Sequence, residues 1–107
     1  MELIGREELK AKLDRGDDFR LVMCLGEFAF TAKHIPGSIN LSNPKIAHEV
    51  LDPDDEIVVY CSDEACVASK YAYFQLTRHG YEKVRPYAGG IADWEETGYP
   101  LKGEWVR

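Results

Sequence analysis

The chain has 107 residues, 45% hydrophobic and 30% charged, which is the size and balance of one soluble globular domain with a single core. A formal net charge of −6, with no basic cluster beyond pairs such as Arg78-His79, excludes a general binder of nucleic-acid phosphates. No apolar run approaches the roughly 18 residues that a membrane helix needs.

Short apolar strands alternate with amphipathic helices, without repeat or linker, which predicts parallel β/α organisation in a single domain, 1–107. Leu3-Ile4 reads as a short first strand, and Arg6 to Arg15 as a helix with Leu9 and Leu13 on one face, broken by Gly16-Asp17-Asp18. Phe19 to Leu25 is nearly all apolar, as expected for a strand covered on both sides, and Cys24 near its end reads as core. Phe28, Phe30 and Ala32 fall in a short helix, His34 to Ser38 in a turn, and Ser38 to Leu41 in a short strand. Asn43 caps a helix that starts with Pro44 and ends near Leu51. The turn Asp52-Pro53-Asp54-Asp55 leads into a strand from Glu56 to Tyr60.

Beyond residue 67, Ala68, Ala72 and Leu76 share a helix face, with Val67 and Tyr71 beside them and Gly80 as the stop. Lys83 to Ala88 reads as a strand, in which Pro86 lacks a ladder donor. Gly89-Gly90 opens a last helix through Trp94, closed by Gly98-Tyr99-Pro100, and the tail 101–107 receives no assignment.

Cys61 reads either as a small buried residue at a strand end or as the residue that carries chemistry. It ends an apolar strand, opens the loop Cys61-Ser62-Asp63-Glu64-Ala65-Cys66-Val67-Ala68-Ser69, and is followed by a helix N-terminus. The unsatisfied N–H groups and positive dipole end of such a helix lower a thiol pKa and hold an anionic sulfur. The N-terminus lacks an apolar signal core, and three cysteines are an odd count, so a reducing, cytoplasmic setting is expected. Cys-x4-Cys with His34, His48 and His79 scattered elsewhere supplies no four-ligand zinc set, so neither metal nor cofactor is expected.

Three segments resemble one family. His34-Ile35-Pro36-Gly37-Ser38-Ile39-Asn40 is similar to the H-I-P-G-A-x-N segment of rhodanese-like domains, and Val58-Val59-Tyr60-Cys61 to their strand ending on the catalytic cysteine. Tyr87-Ala88-Gly89-Gly90-Ile91-Ala92-Asp93-Trp94, with Gly98 and Pro100, resembles their closing segment. The resemblance implies an α/β, three-layer domain with a five-stranded parallel sheet flanked by helices. It also implies sulfur transfer, with Cys61 as nucleophile and persulfide carrier. The amides of Ser62, Asp63, Glu64, Ala65, Cys66, Val67 and Ala68 would form the anion pocket, and the Ser69 hydroxyl would support the loop. A small sulfur donor, a thiol acceptor or a sulfur-relay protein would be the partner. His34 and the glycines read as structural, and Trp94 and Trp105 as packing.

Three departures stand out. Ala68 occupies the place of the family's loop arginine, the loop is two residues longer, and Asp63 and Glu64 add negative charge. A charge-assisted hydrogen bond contributes about 1.5–3 kcal/mol, so binding of the thiosulfate dianion should weaken. Met23, Leu25 and Ala29 replace polar residues, reading as an ion-pair network exchanged for packing. Cys66, five residues after Cys61, reads either as a resolving cysteine or as a small apolar residue at the helix start. Two other classes stay open: an oxyanion-handling phosphatase or arsenate reductase, disfavoured by the missing arginine, and a non-catalytic or redox-sensing module using Cys61 and Cys66.

Overall fold

A computed structural model describes residues 1–106. In chain order it contains α1 (Arg6–Arg15), β1 (Arg20–Met23), α2 (Glu27–Ala32), β2 (Ile39–Asn40) and a 3-10 helix (Pro44–Glu49). These are followed by β3 (Ile57–Tyr60), α3 (Ala68–Arg78), β4 (Val84–Tyr87) and α4 (Gly90–Glu96). All pairings are parallel, in the order β2-β1-β3-β4.

The alternation of side chains along each strand divides the core into two layers. Val22, Ile57, Val59 and Val84 pack beneath Ala72 and Leu76 of α3 and Ala47 of the 3-10 helix. Leu21, Met23, Val58, Tyr60 and Tyr87 face Leu9 of α1 and Trp94 of α4, with Ala29 and Phe30 of α2 at the margin. Both faces of the sheet are therefore covered, which accounts for the unbroken apolar runs of β1 and β3.

The sheet has four strands among the described residues, not five. Leu3-Ile4 makes one backbone–backbone bond to the sheet, Ile4 N–H to the Pro86 carbonyl at 3.0 Å, and the Leu3 carbonyl accepts from the Arg85 side chain at 3.2 Å. The nitrogen and carbonyl of Pro86 face the same open edge of β4, and proline has no N–H to extend a ladder there. The same orientation explains how proline is tolerated in this strand. The segment Pro44–Glu49 is a 3-10 helix rather than an α-helix and runs non-helical at Ile46. Val67 and Tyr71, expected beside the apolar face of α3, are mostly exposed. The tail is anchored by the antiparallel bridge between His34 and Lys102.

Two sets of contacts fix the C-terminal end of β3. The Tyr60 hydroxyl accepts from the Ile35 N–H at 3.0 Å and lies 2.8 Å from Ser38 Oγ, which in turn donates to the Ile35 carbonyl. Burial pushes the Tyr60 pKa up to about 12, so the phenol stays neutral and holds the 34–38 turn. His34 serves the same turn: its Nδ1 lies 2.8 Å from the Phe30 carbonyl, and its ring stacks on Phe30.

Beyond β3, the chain meets α4 head-on. Ile91 N–H donates to the Cys61 carbonyl at 3.0 Å, and Ala92 N–H to the Ser62 carbonyl at 2.8 Å. Gly90 makes that approach possible: its φ is +62°, and a Cβ there would stand 2.4 Å from the Cys61 carbonyl oxygen.

Gly90→Ala is expected to lower stability by roughly 1–3 kcal/mol from backbone strain, before the clash is counted. Urea denaturation should show a lower midpoint; an unchanged midpoint contradicts the close approach. Tyr60→Phe, which strands the Ile35 N–H, should cost about 1–3 kcal/mol by the same measurement.

Candidate active site

β3 lies between β1 and β4, so its C-terminal end opens near the middle of the sheet, where Cys61 is only 1% exposed. Cys61 follows the parity of Ile57 and Val59, on the α3 side. Its Sγ lies 3.6 Å from Ser69 Oγ in the first turn of α3 and 3.5 Å from the Cys66 carbonyl oxygen. Ser69 is itself buried.

The loop between them is folded by one carboxylate. Asp63 Oδ1 accepts from the Ala65 N–H at 3.0 Å and the Cys66 N–H at 3.1 Å, a local turn of the kind aspartate favours. This corrects the expected pocket: the amides of Ala65 and Cys66 are engaged by Asp63 and not directed at Cys61. The Ser69 N–H and hydroxyl serve the Cys61 sulfur, whereas the Ala68 N–H and the Ser62 N–H and hydroxyl serve Cys66. Ser62, Asp63, Glu64, Ala65 and Val67 are exposed, and Cys66 and Ala68 half-buried.

The order of thiol acidity is also the reverse of that expected. Burial pushes the Cys61 thiol up, and its hydrogen bond to Cys66 pushes it further, against the opposing donors of Ser69. At Cys66, burial also opposes ionisation, but hydrogen bonds from Cys61, Ala68 and Ser62 outweigh it and hold the thiol below its ordinary value. Of the two, Cys66 is therefore the more acidic thiol.

A third thiol adjoins this pair. The register Met23↔Tyr60 sets Cys24 beside Cys61, and the Cys24 N–H bonds the Tyr60 carbonyl at 2.9 Å. Burial in the core, with the charge of Cys61 nearby, pushes Cys24 up to about 12. Its proximity to Cys61 is not visible without the register, although both cysteines directly follow a strand. Among the described residues, no group of three or more His, Cys, Asp or Glu is placed to hold a metal ion.

Two clefts flank the loop. One, of about 490 Å³, is polar-rimmed by Arg6, Tyr87 and Asp93 together with Asp63 and Glu64. Arg6 Nη1 meets Asp93 Oδ1 at 2.8 Å, and the Tyr87 hydroxyl donates to Asp93 Oδ2. The other, of about 390 Å³, is lined by Met23, Leu25, Ala29, Phe28 and Trp105 beside Ser62 and Asp63. The three apolar replacements thus pack as read, Met23 fully and Leu25 and Ala29 in part, and they also wall this cleft. Trp94 is core, with its Nε1–H donating to the Pro100 carbonyl, while Trp105 is exposed and edge-on to Phe28. No helix is long and apolar enough to cross a membrane among the described residues.

Comparison with known proteins agrees with this geometry. Residues 5–97 match the rhodanese-like domain family. A thiosulfate sulfurtransferase, GlpE, of Pseudoalteromonas translucida is 36% identical over 69 residues, covering 63% of this chain and 64% of the relative. An HTH-type transcriptional regulator of Mycobacterium tuberculosis is 29% identical over 102 residues, covering 94% of this chain. The chain spans only 44% of that regulator's length, and just under two thirds of the sulfurtransferase. In fold, the rhodanese-like domain of an Anabaena protein superposes with a TM-score of 0.87 at 23% identity, covering 98% of this chain and 81% of the other. A Bacillus halodurans protein gives 0.89 at 20% identity, covering 97% and 78%. The sheet order, the cysteine at the end of β3 and the matched residues place this chain in the rhodanese-like domain family.

Proposed function

We propose that this domain is a sulfurtransferase that carries sulfane sulfur as a persulfide on Cys61 and passes it to a thiol or other nucleophile. The observation that carries the reading is the placement of Cys61: at the end of β3, its carbonyl held by α4 and its sulfur against the first turn of α3. The family relationship and the sulfurtransferase relative support the same class of chemistry.

The reaction begins with the thiol pair. Cys66, the more acidic partner, accepts the Cys61 proton as a donor approaches, and the freed Cys61 thiolate attacks the donor's outer sulfur. The donor's remaining thiolate leaves, and Cys61 holds the transferred sulfur. The Ser69 N–H and hydroxyl are the nearest donors for the charge that develops. No lysine or arginine stands between Cys61 and Ser69, whereas Asp63 and Glu64 do. That balance disfavours a compact dianion and favours a persulfide of an organic thiol, which brings less charge. The same absence argues against phosphate-ester chemistry, which needs a guanidinium on the equatorial oxygens.

After brief incubation with glutathione persulfide, Cys66→Ser is expected to gain one labile sulfur atom by intact-mass spectrometry, and Cys61→Ser none. Equal sulfur gain in Cys61→Ser overturns the assignment. Brief alkylation with iodoacetamide is expected to label Cys66 first. Because its pKa is lowered, its labelling rate should reach half-maximum below pH 9.0, the ordinary thiol value. Cys61 labelling should require higher pH, at a rate roughly tenfold or more slower near neutrality. Peptide mapping that finds Cys61 labelled first contradicts this order.

A further inference from the structure

The second cysteine has a use that carriage of sulfur on Cys61 alone does not require. Cys66 is half-buried in the same loop, with its carbonyl 3.5 Å from the Cys61 Sγ, and the two thiols influence each other's acidity. Asp63 holds it there: the turn closed by the Ala65 and Cys66 amides folds the loop back onto the end of β3. Three separate anchors thus converge on the pair, namely the Asp63 turn, Ser69 on α3 and the clamp from α4 on the Cys61 carbonyl.

We propose that Cys66 resolves the Cys61 persulfide, giving the domain a second activity: release of the carried sulfur as sulfide. The inference rests on the carrier role of Cys61 proposed above. Cys66 gives up the proton it took from Cys61, and its thiolate attacks the inner sulfur of the protonated persulfide, the Sγ of Cys61. The bond between Cys61 Sγ and the outer sulfur breaks, and that sulfur departs with the electron pair as HS⁻. A Cys61–Cys66 disulfide remains. The sulfane sulfur has been reduced by two electrons to sulfide, and the two cysteine sulfurs have supplied them. No outside oxidant enters. A dithiol reductant returns the disulfide to two thiols by exchange and resets the site.

The arrangement suits this step better than indefinite storage. The donors of Ser62 and Ala68 are turned to Cys66, so the sulfur that must be a thiolate is the one stabilised as a thiolate. Cys24, the other thiol nearby, is buried in the α3-side core, and burial keeps it protonated, so it does not compete. The charged groups nearest the pair on the loop are Asp63 and Glu64, and neither is cationic. With no cation on the loop to hold the outer sulfur as an anion, that sulfur takes up a proton readily and can leave as HS⁻.

The test is a single turnover on the full chain. Wild type, Cys66→Ser, Cys61→Ser and Cys24→Ala are each treated with glutathione persulfide, desalted, and followed by intact mass and by a sulfide assay. Wild type and Cys24→Ala are expected to release one sulfide per chain and lose two hydrogens, with a 61–66 disulfide on peptide mapping that dithiothreitol reverses. Cys66→Ser is expected to keep its added sulfur at least about tenfold longer. A wild type that retains its persulfide overturns this inference but leaves the carrier role standing. Sulfide release from Cys66→Ser at the wild-type rate, or its loss in Cys24→Ala alone, does the same. If no variant gains sulfur and wild type yields neither sulfide nor disulfide, the carrier role falls and this inference with it. Stable sulfur on Cys61→Ser with none on Cys66→Ser reverses the two roles and overturns both.

Discussion

The contact on which the site depends is that between the start of α4 and the two carbonyls that leave β3. A strand that ends in the interior exposes carbonyls no longer in the ladder, and a helix that begins there exposes N–H groups with no partner in the previous turn. Here the two deficits cancel: Ile91 and Ala92 donate to Cys61 and Ser62. The geometry is available only because Gly90 carries no side chain. With the Cys61 carbonyl fixed on one side and Ser69 on α3 on the other, the loop is free to vary in length while the sulfur stays in place. That freedom is what this sequence uses, with a loop two residues longer than the family's and no arginine in it.

Electrostatics inside the loop follow from what replaced the cation. Asp63 draws two backbone amides to its own carboxylate, and the remaining donors divide between two sulfurs. A pocket that would hold an external anion becomes one that holds an internal thiolate. The nearest arginine in the flanking clefts, Arg6, is already paired with Asp93, which also accepts from Tyr87. On the opposite side, Met23, Leu25 and Ala29 are apolar, and the lysine of that cleft, Lys33, is paired with Glu95. Charge at this site is thus managed by hydrogen bonds and proton position, not by counter-ions.

How much of this is legible in the chain depends on how local each determinant is. The runs Phe19–Leu25 and Glu56–Tyr60 announce strands because both faces of the sheet are covered. The His34–Ser38 turn and the Gly89-Gly90 pair are readable because backbone demands select particular residues. Leu3-Ile4 misleads because strand formation needs a partner edge, and the edge it meets presents Pro86. The neighbourhood of Cys24 and Cys61 depends on register, which no single segment encodes. The loop amides are illegible for a different reason: backbone spacing suggests a cradle around Cys61, but a side-chain rotamer at Asp63 decides where two of those N–H groups go. The acidity of Cys66 follows from that same fold of the loop.

The pairing of thiols bears on what an acceptor must do. A nucleophile held against the reacting atom acts as if present at concentrations far above those of free solutes. If Cys66 is that nucleophile, an external thiol at ordinary concentration competes for the sulfur only by attacking a different atom, the outer sulfur. It must also arrive before the inner sulfur is attacked. A relay partner that docks beside the loop gains the same advantage of proximity, whereas a diffusing thiol does not. The Asp63 turn is what keeps Cys66 beside that inner sulfur.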